Sequence, residues 1–508
     1  MSINLISNLI AFTINLSISF FLTPYIVNKL GDEAYGFVGL ANNFVSYIAI
    51  ITTALNAMAS RYISIELHRE DVIKARKYFN SVLISNIIMS IVIFIFSLIL
   101  ILNLEKYIYI SNELVLDVKI TFFLAFFNFI LTISTSVFNV ATFVKNRLDM
   151  LAIRNIIANI LKLIVTIGLF ISFKAKIFYI SIGAIISTFF IGIANIKLKS
   201  KLLSEIKIDI KYFDLKKIFE LIKSGIWNSL GSLSNLLLTG LDLYLANLLI
   251  SGQAMGILSI AKTVPTAIQG LIVLVASVFT PIFTMLYAKN KISELVNESK
   301  LAMKIQMILL ITPMIAFIVF GNEFYTLWLP GKTQSEIIEI WILSILTMIP
   351  WILNACVECL YSFNILTNRV KTSVVVTFIL GIISTILVFI CVLNLNMGLY
   401  AIAGVSSIII SLRILVFVPI YAAHVIKIRW KTYYPILIKG ILCVLINIIV
   451  FITFNIFVDI SNWGDFILKM GIFMVFAYII SAFFILGKES FIKSTKKIKN
   501  IYREKRSI

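Results

Sequence analysis

Residues 228–242 read NSLGSLSNLLLTGLD. Asn228, Ser232, Asn235, Thr239 and Asp242 recur at offsets of 4, 7, 11 and 14 from the first. At roughly 100° per residue these five fall within about 80° of one another, so the segment reads as a helix with one polar stripe on an otherwise apolar surface. An apolar helix of this kind belongs in the core of a large protein or in a bilayer, and the rest of the chain decides between the two.

The chain has 508 residues, of which 60% are hydrophobic and only 13% charged. Soluble domains carry roughly a quarter charged residues. Apolar runs of about 20 residues, enough to cross a hydrocarbon core of roughly 30 Å, recur almost from end to end. Barrel strands would be shorter and would alternate in period two. The expected class is therefore an all-α integral membrane protein with about fourteen transmembrane helices. These lie near 3–27, 37–59, 80–102, 118–143, 154–173, 177–195, 221–248, 256–283, 301–320, 337–361, 372–394, 398–421, 435–457 and 466–487. The opening stretch lacks a basic n-region and is too long for a leader's apolar segment, so it reads as the first span. The connecting loops are too short for an extramembrane domain.

The net charge of +20 would suit nucleic acid by its size but not by its placement. With the N-terminus cytoplasmic, the cytoplasmic loops and tail hold about 34 of the 44 Lys and Arg, as the positive-inside rule requires. Residues 197–217 and 488–508 contribute most, and they read as topology signals that also touch anionic lipid. Both termini are thus expected in the cytoplasm, with membrane lipid and not nucleic acid as a partner. Cys356 and Cys359 form a CxxC with neither a second pair nor a nearby histidine, so no metal or cofactor is expected.

The chain repeats itself. A shift of 220 residues carries Asn8 onto Asn228, Asn15 onto Asn235, Ser19 onto Thr239, and AYGFVGLA (34–41) onto AMGILSIA (254–261). At a shift of 222, Asn146–Arg147 falls on Asn368–Arg369. Two homologous six-helix halves follow, parallel because each holds an even number of spans. The expected organisation is an N-lobe over 1–210, a C-lobe over 211–425, and two further helices with a basic tail over 426–508.

Polar groups facing lipid are costly, and a charge near a span centre costs at least about 2.5–3.5 kcal/mol. The stripe on the seventh span and its weaker counterpart on the first (Asn8, Asn15), with Asn42 on the second, are therefore expected to face water or one another. Interhelical hydrogen bonding explains single asparagines. Equivalent stripes on the leading helix of both halves point instead to a hydrophilic cavity and alternating access. Lys162 and Arg413 lie well inside spans and suit an anionic substrate such as a phosphate or pyrophosphate. Asp242 and Glu358 are the carboxylates nominated for ion coupling. Asp242, Lys262 and Glu358 lie near span ends, where snorkelling also accounts for them.

LTPYIVNKLGDEAYGFVGLANNFVSYIAIITTALNAMASRYIS (22–64) resembles the N-terminal signature of the polysaccharide transporter, or Wzx-type flippase, family. The matching residues are Leu30, Gly31, Tyr35, Gly36, Arg61 and Tyr62. LLTGLDLYLANLLISGQAMGILSIAK (237–262), which includes Asp242 and Lys262, resembles the equivalent segment of the second half, and FYTLWLP (324–330) is similar to a common external turn. One departure is Leu243, where the family often has a basic residue after the helix-seven aspartate. The resemblance implies the MOP exporter architecture, with helices one and seven lining a cavity. It also implies a polyprenyl-pyrophosphate-linked oligosaccharide as substrate, moved across a bacterial cytoplasmic membrane, and polysaccharide polymerase or assembly proteins as partners. A peptidoglycan-precursor or teichoic-type flippase and a multidrug antiporter of the same superfamily are the alternatives. No GxxxxGK[ST] loop occurs, so the chain is not expected to hydrolyse ATP. With no clustered carboxylates or histidines on a long loop, a glycan polymerase is the least favoured reading, and no enzyme is expected.

Overall fold

The computed structural model describes residues 2–145 and 147–487, with the side chains of residues 2–11, 15, 148, 149 and 152 outside the description. The repeat residue Asn146 and the basic segment 488–508 also lie outside the described residues. Among those described the regular structure is helical, without strands. In chain order the long helices are α1 (Ser2–Leu30), α2 (Asp32–His68), α3 (Val72–Leu102), α4 (Val115–Ser136), α5 (Leu148–Ser172), α6 (Tyr179–Leu202) and α7 (Leu215–Asn235). They continue with α8 (Gly252–Ser277), α9 (Ile292–Val319), α10 (Gln334–Asn354), α11 (Val370–Leu393), α12 (Gly398–Leu412), α13 (Tyr434–Ile456) and α14 (Trp463–Leu486).

Twelve helices among the described residues are long and apolar enough to cross a membrane. The expected first and seventh spans are not among the twelve, so the count of fourteen is approximate. Both are nonetheless observed as helix: α1, part of whose side chains lie outside the description, and α7. The latter opens with Lys216, Lys217, Glu220 and Lys223 and is then interrupted by a π turn at Leu236–Gly240 before resuming as Asp242–Leu249.

Local chemistry sets the helix ends. Gly31 at φ 85° turns the chain between α1 and α2, a left-handed conformation that costs glycine little. Asp71 accepts from the Lys74 amide at the start of α3, Asp214 from the Lys216 amide at the start of α7, and Asn462 from the Asp465 amide before α14, each at 2.9 Å. Thr333 and Glu336 form a reciprocal capping box at the start of α10, satisfying amides that helix starts leave unpaired.

The described residues divide into two compact units, those up to 260 with 374–402, and 261–373 with those from 403 onward. In the first unit, Leu55, Ala59 and Ile63 of α2 pack with Phe79 and Val82 of α3, with Val137 and Phe138, and with Leu221 of α7. Leu203 and Ile206, from the link after α6, complete this core with no exposed surface. In the second unit, α9 buries Met303, Met307, Ile311 and Met314 completely. Polar bonds fasten α13 and α14 to it: Asn447 donates to the Ser481 hydroxyl (2.9 Å), which meets Thr312 (3.3 Å). Such bonds supply interhelical affinity where lipid removes the hydrophobic drive. Ile87, Ile88, Ile91, Val92, Ile95 and Ile99 on α3 remain exposed, as expected of a helix that faces lipid.

Several long helices break. A 3₁₀ turn at Val137–Asn139 follows α4, and one at Glu358–Tyr361 follows α10. The two turns sit a shift of 221 apart at their first residues, close to the offset of the sequence repeat. A second π turn, Arg413–Phe417, interrupts α12 before Val418–Val425.

Candidate functional site

In the first unit the polar side chains of α7 meet α2. Asn228 and Asn235 are exposed, Ser232 and Thr239 are half-buried, and Asp242 is buried. The stripe therefore does not continue as one exposed face, because the π turn intervenes between Asn235 and Asp242 and changes the helical phase. The Thr239 hydroxyl donates to the Asn235 carbonyl (3.2 Å). The π turn also frees the Gly240 carbonyl. Two α2 side chains take it up, Tyr47 at 2.7 Å and Asn43 at 3.3 Å. From α11, Thr385 donates to the Leu237 carbonyl at 3.2 Å. Asn42 is exposed, its amide donating to the Val38 carbonyl of its own helix (3.0 Å). The side chains of Asn8 and Asn15 lie outside the described residues.

The repeat motifs meet in this unit. Gly36 and Gly256, equivalent at the shift of 220, lie against one another: a Cβ on Gly36 would sit 2.8 Å from the Gly256 Cα. Only glycine permits this approach, so both copies keep it for one physical reason. Tyr35 bonds Thr23 of the LTP segment at 3.1 Å and ties α1 to α2 across the Gly31 turn. Arg61 is exposed, and the Tyr62 hydroxyl beside it meets Ser224 of α7 at 2.6 Å. Lys262 is half-buried on α8.

Lys162 is half-buried on α5 and packs beside α6: a Cβ on Gly183 would lie 3.0 Å from the Lys162 carbonyl oxygen and 3.5 Å from its Cγ. The α5–α6 seam holds a second cation missed in the sequence. Arg154 is buried, donates to Asn195 Oδ1 and to the Met150 carbonyl (2.9 Å), and leaves one guanidinium nitrogen without a partner. Its position at the edge of an apolar run disguised it as a loop residue.

The second unit brings together two residues that the sequence nominated separately. Glu358 opens the 3₁₀ turn after α10, and Arg413 opens the π turn of α12. What they share is Tyr361, which closes the same 3₁₀ turn that Glu358 opens. The Arg413 guanidinium lies over the Tyr361 ring, 5.5 Å from its centroid. Asn354, at the last turn of α10, donates to Glu358 Oε2 at 2.5 Å. The Arg413 Nε and the Asn354 Oδ1 are buried without a partner. Neither Asn354 nor Tyr361 stood out in the sequence, although both lie within one turn of Glu358. Cys356 and Cys359 are buried free thiols, and among the described residues no three His, Cys, Asp or Glu converge to hold a metal.

A family model described as "Polysaccharide biosynthesis protein" matches residues 3–287, more than half of the chain. The chain belongs to that family. It is also 26% identical over 487 residues to the "Uncharacterized membrane protein EpsK" of Bacillus subtilis (strain 168), covering 96% of this chain and 95% of the relative. Among solved structures it resembles "Lipid II flippase MurJ, inward closed conformation" with a TM-score of 0.67 and 15% identity, over 96% of this chain and 99% of the other. It also resembles the "inward-facing conformation of a multidrug resistance MATE family transporter of the MOP superfamily" with a TM-score of 0.65 and 16% identity, over 82% and 96%. The fold is thus that of MOP-type transporters, and the family member described here is a multi-pass membrane protein.

Proposed function

We propose that this polysaccharide biosynthesis family member is a flippase. It carries a polyprenyl-pyrophosphate-linked oligosaccharide across the bacterial cytoplasmic membrane by alternating access between halves 1–210 and 211–425, with both termini cytoplasmic. The observation that carries this reading is polar and cationic chemistry placed inside otherwise apolar spans: the exposed amides of Asn42, Asn228 and Asn235, with Arg413 at the break of α12. A lipid-linked glycan needs that combination. Its chain stays in the bilayer while a hydroxyl-rich, anionic head crosses, and amides and guanidinium groups bond hydroxyls and phosphates. Asn8, Asn15, Ser232, Thr239 and Lys162 complete the proposed path, and Asp242 and Glu358 are the proposed coupling carboxylates. Moving one charge through 100 mV is worth about 2.3 kcal/mol, so one coupled cation is a meaningful drive. Polymerase or assembly proteins would take up the delivered glycan.

The test is lipid extraction from a deletion strain. A polyprenyl-linked oligosaccharide is expected to accumulate on the cytoplasmic leaflet, relieved by the wild-type gene and not by an Arg413→Ala, Lys162→Ala variant. Hypersensitivity to small cationic drugs without lipid accumulation would assign the chain to drug export instead.

A further inference from the structure

We propose that residues 104–111 form a latch that fastens the helix Asp242–Leu249 and the start of α8 to the first half of the chain, and that this latch must release before the carrier opens to the outside. The inference rests on the flippase reading and its topology, in which this end of the first unit is external, and it adds the contact that restrains opening.

The latch is built on backbone groups. Asn247 is fully buried in the last turn of Asp242–Leu249, and both ends of its amide are engaged. Its Oδ1 accepts from the Tyr109 amide at 2.8 Å, and its Nδ2 donates to the Tyr109 carbonyl at 2.9 Å. Two residues on, the Ser111 amide donates to Glu33 Oε1 at 3.0 Å. The same carboxylate lies against α8, since a Cβ on Gly252 would sit 2.7 Å from Oε1. Glu33 therefore joins α2, the loop and α8. Leu104 and Ile108 bury their side chains beneath the loop, and Lys119 of α4 bonds Glu105 at 2.9 Å, so the loop itself is fixed to the first half.

The sequence repeat shows that the fold does not require this arrangement. A shift of 220 carries LEKYIYI (104–110) onto FYTLWLP (324–330) and Val27 onto Asn247. In the second copy the turn satisfies itself. The Leu329 amide, equivalent to that of Tyr109, donates to the Tyr325 carbonyl at 2.9 Å, and the Leu329 carbonyl accepts from the Lys332 amide at 3.3 Å. Val27 has no polar side-chain atom to offer bonds like those of Asn247. In the first copy the same two backbone groups are left for a helix of the other repeat, and buried backbone groups require such partners. The bonds are also of a strength that can be broken in a working cycle: one net neutral hydrogen bond shifts a two-state equilibrium by about twofold to tenfold.

The experiment uses the closed crossing behind the latch. A Cβ on Gly39 of α2 would lie 3.0 Å from the Ser259 hydroxyl of α8, so a cysteine at 259 becomes more accessible when α2 and α8 part. A membrane-impermeant maleimide is added outside intact cells that express full-length Ser259→Cys. The background is Cys391→Ser, which leaves only buried native thiols. Asn247→Leu is expected to raise the labelling rate about tenfold and Glu33→Ala about threefold. Tyr109→Ala should stay at the parent rate, because both bonds use its backbone. An unchanged rate in Asn247→Leu, or an equal rise in Tyr109→Ala, would overturn the latch. If Asn247→Leu does not reach the membrane, Glu33→Ala decides, and no acceleration there overturns the latch equally. Acceleration seen only with inverted vesicles would overturn its external placement. Labelling needs no glycan, so either result leaves the flippase reading to the lipid extraction above.

Discussion

The two repeat-related helix breaks are both 3₁₀ turns, and their chemistry differs. After α4 the break is neutral, with Asn139 Oδ1 buried without a partner and a closed polar ring beside it. Asn56 and Asn86 exchange amide hydrogen bonds (2.9 and 3.1 Å), and Ser136 joins both at 3.1 Å, tying α2, α3 and α4 together. After α10 the break is charged, with Glu358 in the turn, Arg413 over Tyr361, and two buried polar atoms without partners. A satisfied polar ring in a membrane is glue. An incompletely satisfied charged cluster is retained at a cost in stability and is where function concentrates. The repeat therefore supplied one backbone device twice, and only the second copy became a candidate for chemistry.

The largest expected effect separates the two directly. If Glu358 and Arg413 act as a pair, Glu358→Leu leaves the arginine uncompensated and should cost about 3–5 kcal/mol. The double variant Glu358→Leu, Arg413→Leu should recover most of that loss and yet fail to restore surface polysaccharide in a deletion strain. Thermal denaturation of the purified variants reads the first effect and complementation the second. A double variant that complements would make the charged break as structural as the neutral one.

Much of this architecture was legible in the sequence because membrane solvation leaves few alternatives. Runs such as 80–102 must be helical in lipid, and AYGFVGLA against AMGILSIA announced the repeat before Gly36 and Gly256 were seen in contact. The helix breaks were illegible. LLLTG (236–240) and RILVF (413–417) contain no helix breaker beyond one glycine, and their π turns arise from tertiary packing, with Tyr47 and Asn43 taking the Gly240 carbonyl. For the same reason the stripe computed at a constant 100° per residue ran through Asp242, which the structure buries. The meeting of Arg413 with Tyr361 was hidden as well, since no periodicity links residues on different helices. Lys162 and Arg413 looked alike as isolated cations, and only the structure distinguishes a lysine packed at a helix seam from an arginine set over a tyrosine ring.

A second test uses the contact at which the two copies remain alike. Gly36→Val should overpack the crossing against Gly256 and cost about 1–3 kcal/mol, seen as a lower denaturation midpoint. Gly256→Val should behave similarly, because its own Cβ would meet the Asp32 backbone. Unequal effects would show that the two glycines bear the repeat contact differently.

At the neutral break, Asn86→Leu should cost about 0.6–2 kcal/mol, the range of membrane interhelical hydrogen bonds, and leave complementation intact. Loss of transport at unchanged stability would mean that Asn56, Asn86 and Ser136 do more than hold three helices together, and the contrast between the breaks would narrow.

The smallest effect is expected at the π turn of α7. Tyr47→Phe removes the 2.7 Å bond to the Gly240 carbonyl but leaves Asn43 at 3.3 Å on the same acceptor. A single neutral hydrogen bond contributes about 0.5–1.5 kcal/mol, and the surviving donor should hold the loss near the lower end. Asn43→Leu alone should cost no more, because the shorter bond remains. The double variant leaves a freed carbonyl unpaired within the bilayer, and its cost should exceed the sum of the two singles. Additive losses would mean that the Gly240 carbonyl finds another donor, and that the π turn is maintained by the packing of Gly381 and Thr385 of α11 and not by the polar edge of α2.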